Sequence, residues 1–204
     1  VTLVTGATDC GTGCGTSLAQ IAAEELGIPI DSVHVVMGDT DVTPLDLGAH
    51  ATRTLFVGGL AVQAAARHAK EQAVRVAAEL LEVHPVDLEA ADGAIRVRGV
   101  PGTFVTYGQV ATAAFRTVAE ISGRGVAPQH QATPYGAQFA EVEVNVRTGQ
   151  VRVLRLVAAH DVGRAINPLI VEGQIEGGAA QGIGYALTED MPVDADGQPL
   201  AATF

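Results

Sequence analysis

The sequence is short of cysteine, aromatic residues and positive charge, and each shortage narrows what the protein can be. Two cysteines, Cys10 and Cys14, in 204 residues give no disulfide framework, and their C-x3-C spacing makes a poor zinc site. Twelve Lys and Arg against 23 Asp and Glu leave a net charge of -11, which argues against a nucleic-acid backbone or an anionic membrane as a partner. No apolar run reaches transmembrane length and no signal peptide is recognisable, so we expect a cytoplasmic protein.

The chain is instead rich in apolar residues. Hydrophobic side chains make up 48% of it and charged ones only 17%, which predicts a well-buried interior and a surface that partly meets other protein. Pattern and length predict an α+β protein of two lobes, residues 1–120 and 135–204, each a mixed β-sheet packed with helices, with a connecting loop at 121–134. Because the chain starts directly in a strand and stops without a C-terminal signal, we expect it to be a piece of a longer one.

The first lobe opens with a strand over Val1–Thr5, a glycine-rich turn over Gly6–Thr16 and a helix over Ser17–Leu26. Free amides at the helix start and the positive end of the helix dipole would form an anion site at the turn. Gly11-Thr12-Gly13 matches half of a dinucleotide fingerprint, but Thr16 stands where the last glycine would be, and a P-loop lysine is absent. A phosphate site and a tight strand-to-helix turn therefore both remain open.

A long polar loop follows the strand Val33–Met37. It covers Asp39–Gly48 and continues into Ala49–Thr54, where His50 and Arg53 are the long polar side chains. Loops of this length in compact domains are commonly functional. Ordinary surface placement of both side chains is an equally good interpretation.

The remaining elements follow from caps, turns and periodicity. The pattern predicts a helix over Val57–Val83 with Leu60 and Ala64 on its apolar side, followed by a hairpin over Leu88–Val97 that turns on Asp92-Gly93. The capping box of Thr106 and Gln109 predicts the start of a short helix. A second hairpin is predicted from Ala140 to Ala159, with its turn at Thr148-Gly149.

The stretch Asp161–Glu189 organises the second lobe. Asn167 is the predicted N-cap of a helix, with Pro168 at its first position. Glycines interrupt the helical pattern, although each is about 1 kcal/mol worse than alanine there. These are Gly173, Gly177, Gly178, Gly182 and Gly184, while Gln174 and Gln181 lie a heptad apart on another face. A helix so bare of bulk predicts close approach of a flat polar ligand, and tight helix–helix packing remains the alternative.

Together these segments resemble the large subunit of the molybdenum hydroxylases, the family of xanthine dehydrogenase, aldehyde oxidase and carbon monoxide dehydrogenase. The resemblance rests on Thr8–Gln20 with the following GDTDVTPLDLG, on Ala49–Thr54, and most specifically on DVGRAINPLIVEGQIEGGAAQGIGYALTE. It implies the family's second molybdopterin-binding domain, of the xanthine dehydrogenase/aldehyde oxidase type. It also implies a molybdenum–molybdopterin cytosine dinucleotide, with iron–sulfur clusters and FAD on other domains or subunits.

By position, the resemblance implies a set of cofactor-binding residues. They are Gly11, Thr12, Gly13, Ala51, Thr52, Thr54, Asn167, Gly177, Gly178 and Gln181. Thr12 replaces the family's glutamine with a shorter donor, and His50 and Arg53 fall in the part that forms the substrate pocket. No residue of the chain is expected to ligate the metal or to be catalytic, because the general-base glutamate of the family would lie beyond Phe204.

The implied function is a share in the oxidative hydroxylation of an aldehyde, N-heterocycle, CO or aryl-CoA type substrate. The chain would supply cofactor cradle and part of the pocket to an oxidoreductase, and would be inactive in isolation. The implied partners are the remaining part of the large subunit, iron–sulfur and flavin subunits, and a small-molecule substrate. Two alternatives stay open: a non-catalytic phosphate- or nucleotide-binding module, and a structural assembly fragment whose glycine helix packs on a partner protein.

Overall fold

A computed structural model describes residues 1–117, 120–128 and 133–201 of the chain. Helices and small β-sheets alternate along it, so the predicted α+β fold is confirmed. The chain divides into two compact units, Val1–Ala132 and Thr133–Phe204, which are described separately. Within the described residues, none of the helices is both long enough and apolar enough to cross a membrane.

The described residues of the first unit form five strands and three α-helices. They are β1 (Thr2–Thr5), α1 (Cys14–Leu26), β2 (His34–Met37), α2 (Arg53–Leu81), β3 (Leu88–Ala91), β4 (Ala94–Val97), β5 (Phe104–Thr106) and α3 (Tyr107–Thr117), with single 3-10 turns at Ile30–Ser32 and Pro85–Asp87. Strands β1 and β2 pair in parallel, with Thr5 opposite Met37, whereas β3, β4 and β5 form an antiparallel sheet in that order. Because β1 and β2 are parallel, the glycine-rich turn and the long loop leave the same edge of their sheet.

Helix α2 connects two apolar clusters. One packs its first half against α1 and the other packs its second half against the small sheet and α3. Leu60 and Ala64 were predicted on the apolar side of this helix, but both are exposed. The buried side of the first half instead carries Gly59, Val62 and Ala66, which are three or four residues apart, and Val62 belongs to the same apolar cluster as Leu18 and Ala22 of α1.

Local sequence signals in this unit are confirmed by their bonds. The Thr106 amide donates to the Gln109 side chain at 2.8 Å, and the Gln109 amide donates back to the Thr106 hydroxyl at 3.2 Å, which is the predicted capping box. Asp92 and Gly93 have φ of 50° and 77° and join β3 to β4 in the predicted hairpin. The short strand β5 was not predicted.

The segment after α3 lies directly along α2. The Gln72 side chain donates to the Ser122 carbonyl at 2.6 Å, and the Arg124 amide donates to His68 Nδ1 at 3.4 Å. Gly125 comes so close to α2 that a Cβ built on it would lie 2.0 Å from the Ala61 carbonyl oxygen. Glycine is therefore required there by close approach to another backbone.

Residues 133–201, the described part of the second unit, form a hairpin and one helix. Strands β6 (Tyr135–Val144) and β7 (Val151–Asp161) pair antiparallel with a bulge between Glu141 and Val142, and α4 (Pro168–Leu187) contacts β7. Among residues 133–201, Ala179 alone is buried. Large apolar side chains of the hairpin, such as Phe139 and Tyr135, are exposed, so this unit has no apolar core within the described chain.

Candidate functional site

The glycine-rich turn is closed by an internal carboxylate. Asp9 accepts hydrogen bonds from the amides of Gly11 at 2.9 Å, Gly13 at 3.1 Å and Gly15 at 3.4 Å. Burial raises the pKa of the Asp9 carboxyl, but the amides, chiefly that of Gly15, outweigh this effect and hold the pKa below its ordinary value. The predicted anion site therefore exists, but a carboxylate of the same chain occupies it, which argues against a simple phosphate-binding module.

Helix α1 begins earlier than predicted because Asp9 binds amides at its start. It starts at Cys14 instead of Ser17, and Gly13 serves as its N-cap with a left-handed φ of 66°. Glycine tolerates this conformation, and Asp9 supplies the acceptor that a capping side chain would otherwise provide. The first helical turn thus consists of residues that the sequence pattern assigns to the glycine-rich turn.

Asp9 yields a prediction about acid stability. Asp9→Asn replaces a carboxylate that binds several amides, and we expect a loss of about 1 kcal/mol, the low end for charged hydrogen bonds because the group is exposed. The folded pKa is lowered, so the stabilisation is present above the unfolded pKa of about 3.9 and is lost as pH falls through the folded value. Urea unfolding of wild type and variant should differ at pH 7 and converge below pH ~4. Asp31→Asn, at an exposed aspartate outside the turn, is the control, and a difference that persists unchanged at pH ~2 contradicts the assignment.

Thr12 points into the chain and not outward. Its hydroxyl oxygen is buried beside the Cys14 thiol. Burial raises the pKa of this thiol, the charge of Asp9 raises it further, and the Thr12 hydroxyl lowers it in part. The Cys14 sulfur donates to the Thr8 carbonyl at 3.5 Å, while Cys10 is exposed. A contact of Thr12 with a ligand would consequently involve its backbone.

The Ala49–Thr54 segment holds an unusual backbone. Ala51 and Thr52 both have left-handed φ, 48° and 56°, which is unfavourable for residues that carry a Cβ. Helix α2 begins at Arg53, four residues before the predicted Val57, and its N-cap Thr52 makes no side-chain capping bond. Thr54 is half-buried in the first turn of the helix, and His50 is exposed in the loop before it. Strain of this kind tends to occur at functional sites.

Arg53 was predicted to face the substrate pocket, but its guanidinium is turned inward. The residue is only 8% exposed, and its Nη1 donates to Asp46 Oδ1 at 2.8 Å and to the Gly48 carbonyl at 3.0 Å. Asp46 was not singled out in the sequence. Asp9 and Asp46 share a sequence signal. Each lies two residues before a glycine with positive φ, Gly11 at 98° and Gly48 at 91°, and each accepts a hydrogen bond from the amide of that glycine.

The turn and the loop contact each other at the carboxyl edge of β1 and β2. A Cβ on Gly6 would lie 2.0 Å from the Pro44 carbonyl oxygen, and a Cβ on Gly38 would lie 2.9 Å from Thr8. The structure therefore places Gly11–Gly13 and Ala49–Thr54 on segments that are packed together in the first unit. Within residues 1–117, 120–128 and 133–201, no group of three His, Cys, Asp or Glu is arranged to hold a metal ion.

In the second unit, α4 leaves four of its five glycines uncovered. Asn167 is the N-cap as predicted, and its Oδ1 accepts from the Ile170 amide at 3.2 Å. A Cβ on Gly173, Gly177, Gly178 or Gly182 would meet no atom within 4 Å. Gln174 and Gln181 are exposed, whereas Ala179 is buried on the side of α4 that contacts β7. Packing within the second unit therefore gives no reason for these four glycines.

The model of one protein family, the molybdopterin cofactor-binding domain, matches residues 1–204. The chain belongs to this family. Three relatives support the same conclusion, and the chain spans only 20% to 27% of their lengths. The carbon monoxide dehydrogenase large chain of Afipia carboxidovorans is 36% identical over 95% of this chain and 25% of its own length. The probable hypoxanthine oxidase XdhD of Escherichia coli K12 is 37% identical over 96% of this chain and 20% of its own length.

A solved structure agrees with these relatives. Quinoline 2-oxidoreductase from Pseudomonas putida 86 superposes with a TM-score of 0.86 and 34% identity over 99% of this chain and 27% of its own. The resemblance to the molybdenum hydroxylase large subunit is thereby confirmed.

Proposed function

We propose that the chain forms part of the cradle for a molybdenum–molybdopterin cytosine dinucleotide in the large subunit of an oxidoreductase of the molybdenum hydroxylase class. The observation that carries this proposal is the match of the molybdopterin cofactor-binding family over residues 1–204. The uncovered glycines of α4 fit it, because a Cβ there would occupy space that nothing in the described chain fills. When bound, such a cofactor supplies a Lewis-acidic metal that accepts electrons from the substrate.

We assign the cofactor-facing surface to backbone more than to side chains. In the first unit it comprises Gly11, Thr12 and Gly13 of the turn together with Ala51, Thr52 and Thr54. The amides of Gly11, Thr12, Gly13 and Gly15 already bind Asp9, so the turn would contact the cofactor through the open side of Gly11, where a Cβ would meet nothing. The second unit has a proposed cofactor-facing surface of its own, which comprises Asn167, Gly177, Gly178 and Gln181.

On α4 the roles divide between space and hydrogen bonding. Gly177 and Gly178 would let a flat ring system approach the helix, and the exposed Gln181 amide would bind its polar edge. Asn167 already caps the helix through Oδ1, so its contribution is to hold the start of α4 in place. These residues orient the cofactor and exclude water, and none of them transfers a proton.

The substrate remains at the level of a class. The relatives named above are named for carbon monoxide, for a probable hypoxanthine oxidase and for quinoline, which supports carbon monoxide or an N-heterocycle as a substrate class. Exposed His50 is the side chain of the Ala49–Thr54 segment that we assign to substrate selection. The general base, the iron–sulfur clusters and the flavin would come from the remaining part of the large subunit and from partner subunits.

A composition measurement tests the proposal. The full subunit that contains this chain, purified with its partners, should release about one molybdenum and one cytidine nucleotide per subunit on acid hydrolysis, whereas residues 1–204 alone should reduce no dye with any of the four substrate classes. Release of a simple nucleotide without molybdenum would favour the nucleotide-binding alternative. A stable complex with partners that contains neither would favour the assembly alternative, which the uncovered hairpin of the second unit also suits.

A further inference from the structure

Asp46 and Arg53 form a buried ion pair that closes the loop between them. Their side chains are 20% and 9% exposed, and Arg53 Nη1 lies 2.8 Å from Asp46 Oδ1. The same carboxylate oxygen accepts the Gly48 amide at 2.8 Å, and the same Nη1 donates to the Gly48 carbonyl at 3.0 Å. Two side chains and the backbone of Gly48 are thus joined in a compact set of charge-assisted hydrogen bonds.

The residues enclosed by this pair are the ones with the strained backbone. Ala51 and Thr52 have φ of 48° and 56°, and the Arg53 amide donates to the His50 carbonyl at 3.0 Å immediately beside them. A left-handed conformation at two successive residues with a Cβ persists only when the surroundings enforce it. Burying the charge of Arg53 costs free energy, and an ion pair of this kind often contributes little net stabilisation. Stability alone is therefore a poor explanation for the pair.

The pair is also fixed to the glycine-rich turn. Gly6 leaves so little room that an added Cβ would lie 3.0 Å from the Asp46 Cβ and 2.0 Å from the Pro44 carbonyl oxygen. Asp46 is therefore held from the side of β1, and Arg53 is held by its position at the start of α2. The loop segment between them is therefore fixed at both ends by rigid elements.

We infer that the Asp46–Arg53 pair is a clamp that sets the left-handed backbone of Ala51 and Thr52, so that Arg53 is a positioning residue and not a substrate contact. Its purpose, holding the Ala49–Thr54 segment ready for the cofactor, rests on the proposed function. The clamp itself does not, and its effect on local order can be measured separately.

The experiment is hydrogen exchange on the assembled enzyme, with Asp46→Asn and Arg53→Lys compared with wild type. In Asp46→Asn, amides of residues 47–54 should exchange about tenfold faster or more, the effect of losing one charge-assisted bond, while those of Leu88–Val97 stay unchanged. Arg53→Lys keeps the charge without the planar fork and should show a smaller increase. Asp41→Asn removes the same charge from an exposed position of the same loop and should match wild type. Molybdopterin content per subunit should fall several-fold in Asp46→Asn and stay at the wild-type value in Asp41→Asn.

Unchanged exchange over residues 47–54 in both clamp variants overturns the inference. If Asp46→Asn exchanges fast throughout, including Leu88–Val97, it has not folded, and Arg53→Lys decides: a local increase supports the clamp and none overturns it. If the wild-type subunit contains no molybdopterin and the clamp variants still exchange faster over residues 47–54, the clamp is supported and the proposed function is refuted. Faster local exchange with undiminished molybdopterin content would overturn the link between the clamp and the cofactor.

Discussion

Replacing Gly125 by alanine is expected to lower the free energy of unfolding of the first unit by about 2–3 kcal/mol, the upper part of the range for overpacking. The new Cβ would lie 2.0 Å from the Ala61 carbonyl oxygen and 2.5 Å from the Ala65 amide nitrogen. Both atoms belong to the backbone of α2, so neither can rotate away as a side chain would. The segment after α3 must then lift from the helix and lose the bond between Gln72 and Ser122. Urea unfolding followed by circular dichroism measures the loss.

Gly108→Ala is the matched control for this substitution. Gly108 lies in α3 of the same unit, and a Cβ there would have only the Thr106 hydroxyl at 3.9 Å, an ordinary contact distance. Alanine is the better helix former by about 1 kcal/mol, so this variant should equal or exceed wild type in stability. An unfolding midpoint of Gly125→Ala equal to that of wild type would mean that the segment does not pack on α2 as described.

Local rules predicted much of the fold. The capping box of Thr106 and Gln109, the turn at Asp92-Gly93 and the N-cap Asn167 each involve residues no more than three apart, and each appears in the structure with its expected bonds. Such signals are complete within the sequence, because the donor, the acceptor and the backbone conformation belong to neighbouring residues. The α+β class and the hairpins followed from them.

The starts of α1 and α2 could not be predicted in the same way. Both helices begin after residues in the left-handed region, Gly13 before α1 and Thr52 before α2, and Thr52 has no sequence signal for that conformation. The inward turn of Arg53 depends on Asp46 and on the packing of the loop against Gly6, which are tertiary contacts. Helix propensity and residue spacing predict neither the left-handed conformation of Thr52 nor the inward turn of Arg53.

The glycines show the same division between local and tertiary information. The sequence pattern drew attention to α4, where glycine breaks a helical rule, but close backbone approach occurs elsewhere, at Gly6, Gly27 and Gly125. At Gly173, Gly177, Gly178 and Gly182 of α4 an added Cβ would meet nothing within 4 Å, and at Gly184 it would meet only the side chains of Glu189 and Thr188. The rule that an unfavourable glycine needs a structural reason therefore points outside the second unit for these four glycines of α4, to a ligand or another part of the subunit.

Gly178 distinguishes these two possibilities and carries the second large expected effect. In residues 1–204 alone, Gly178→Ala should be neutral or should slow hydrogen exchange of the α4 amides, because alanine favours the helix by about 1 kcal/mol and finds open space. In the assembled subunit, Gly178→Leu should remove most of the molybdopterin, since its side chain would fill the space that we assign to the cofactor. Metal analysis and pterin fluorescence on the purified subunit measure the loss.

Gly173→Leu separates a cofactor contact from a general fault in the helix. Gly173 lies on the same helix, and a Cβ there is equally unobstructed, but the residue is not among those assigned to the cofactor. If Gly178 faces the cofactor, Gly173→Leu should retain molybdopterin while Gly178→Leu does not. If another part of the subunit packs over all the α4 glycines, both variants should lose assembly with the rest of the protein together with the cofactor. If Gly178→Leu assembles fully and keeps its molybdopterin, Gly178 does not contact the cofactor. The assignment of Gln181 would then have to be tested by substitution of Gln181 itself.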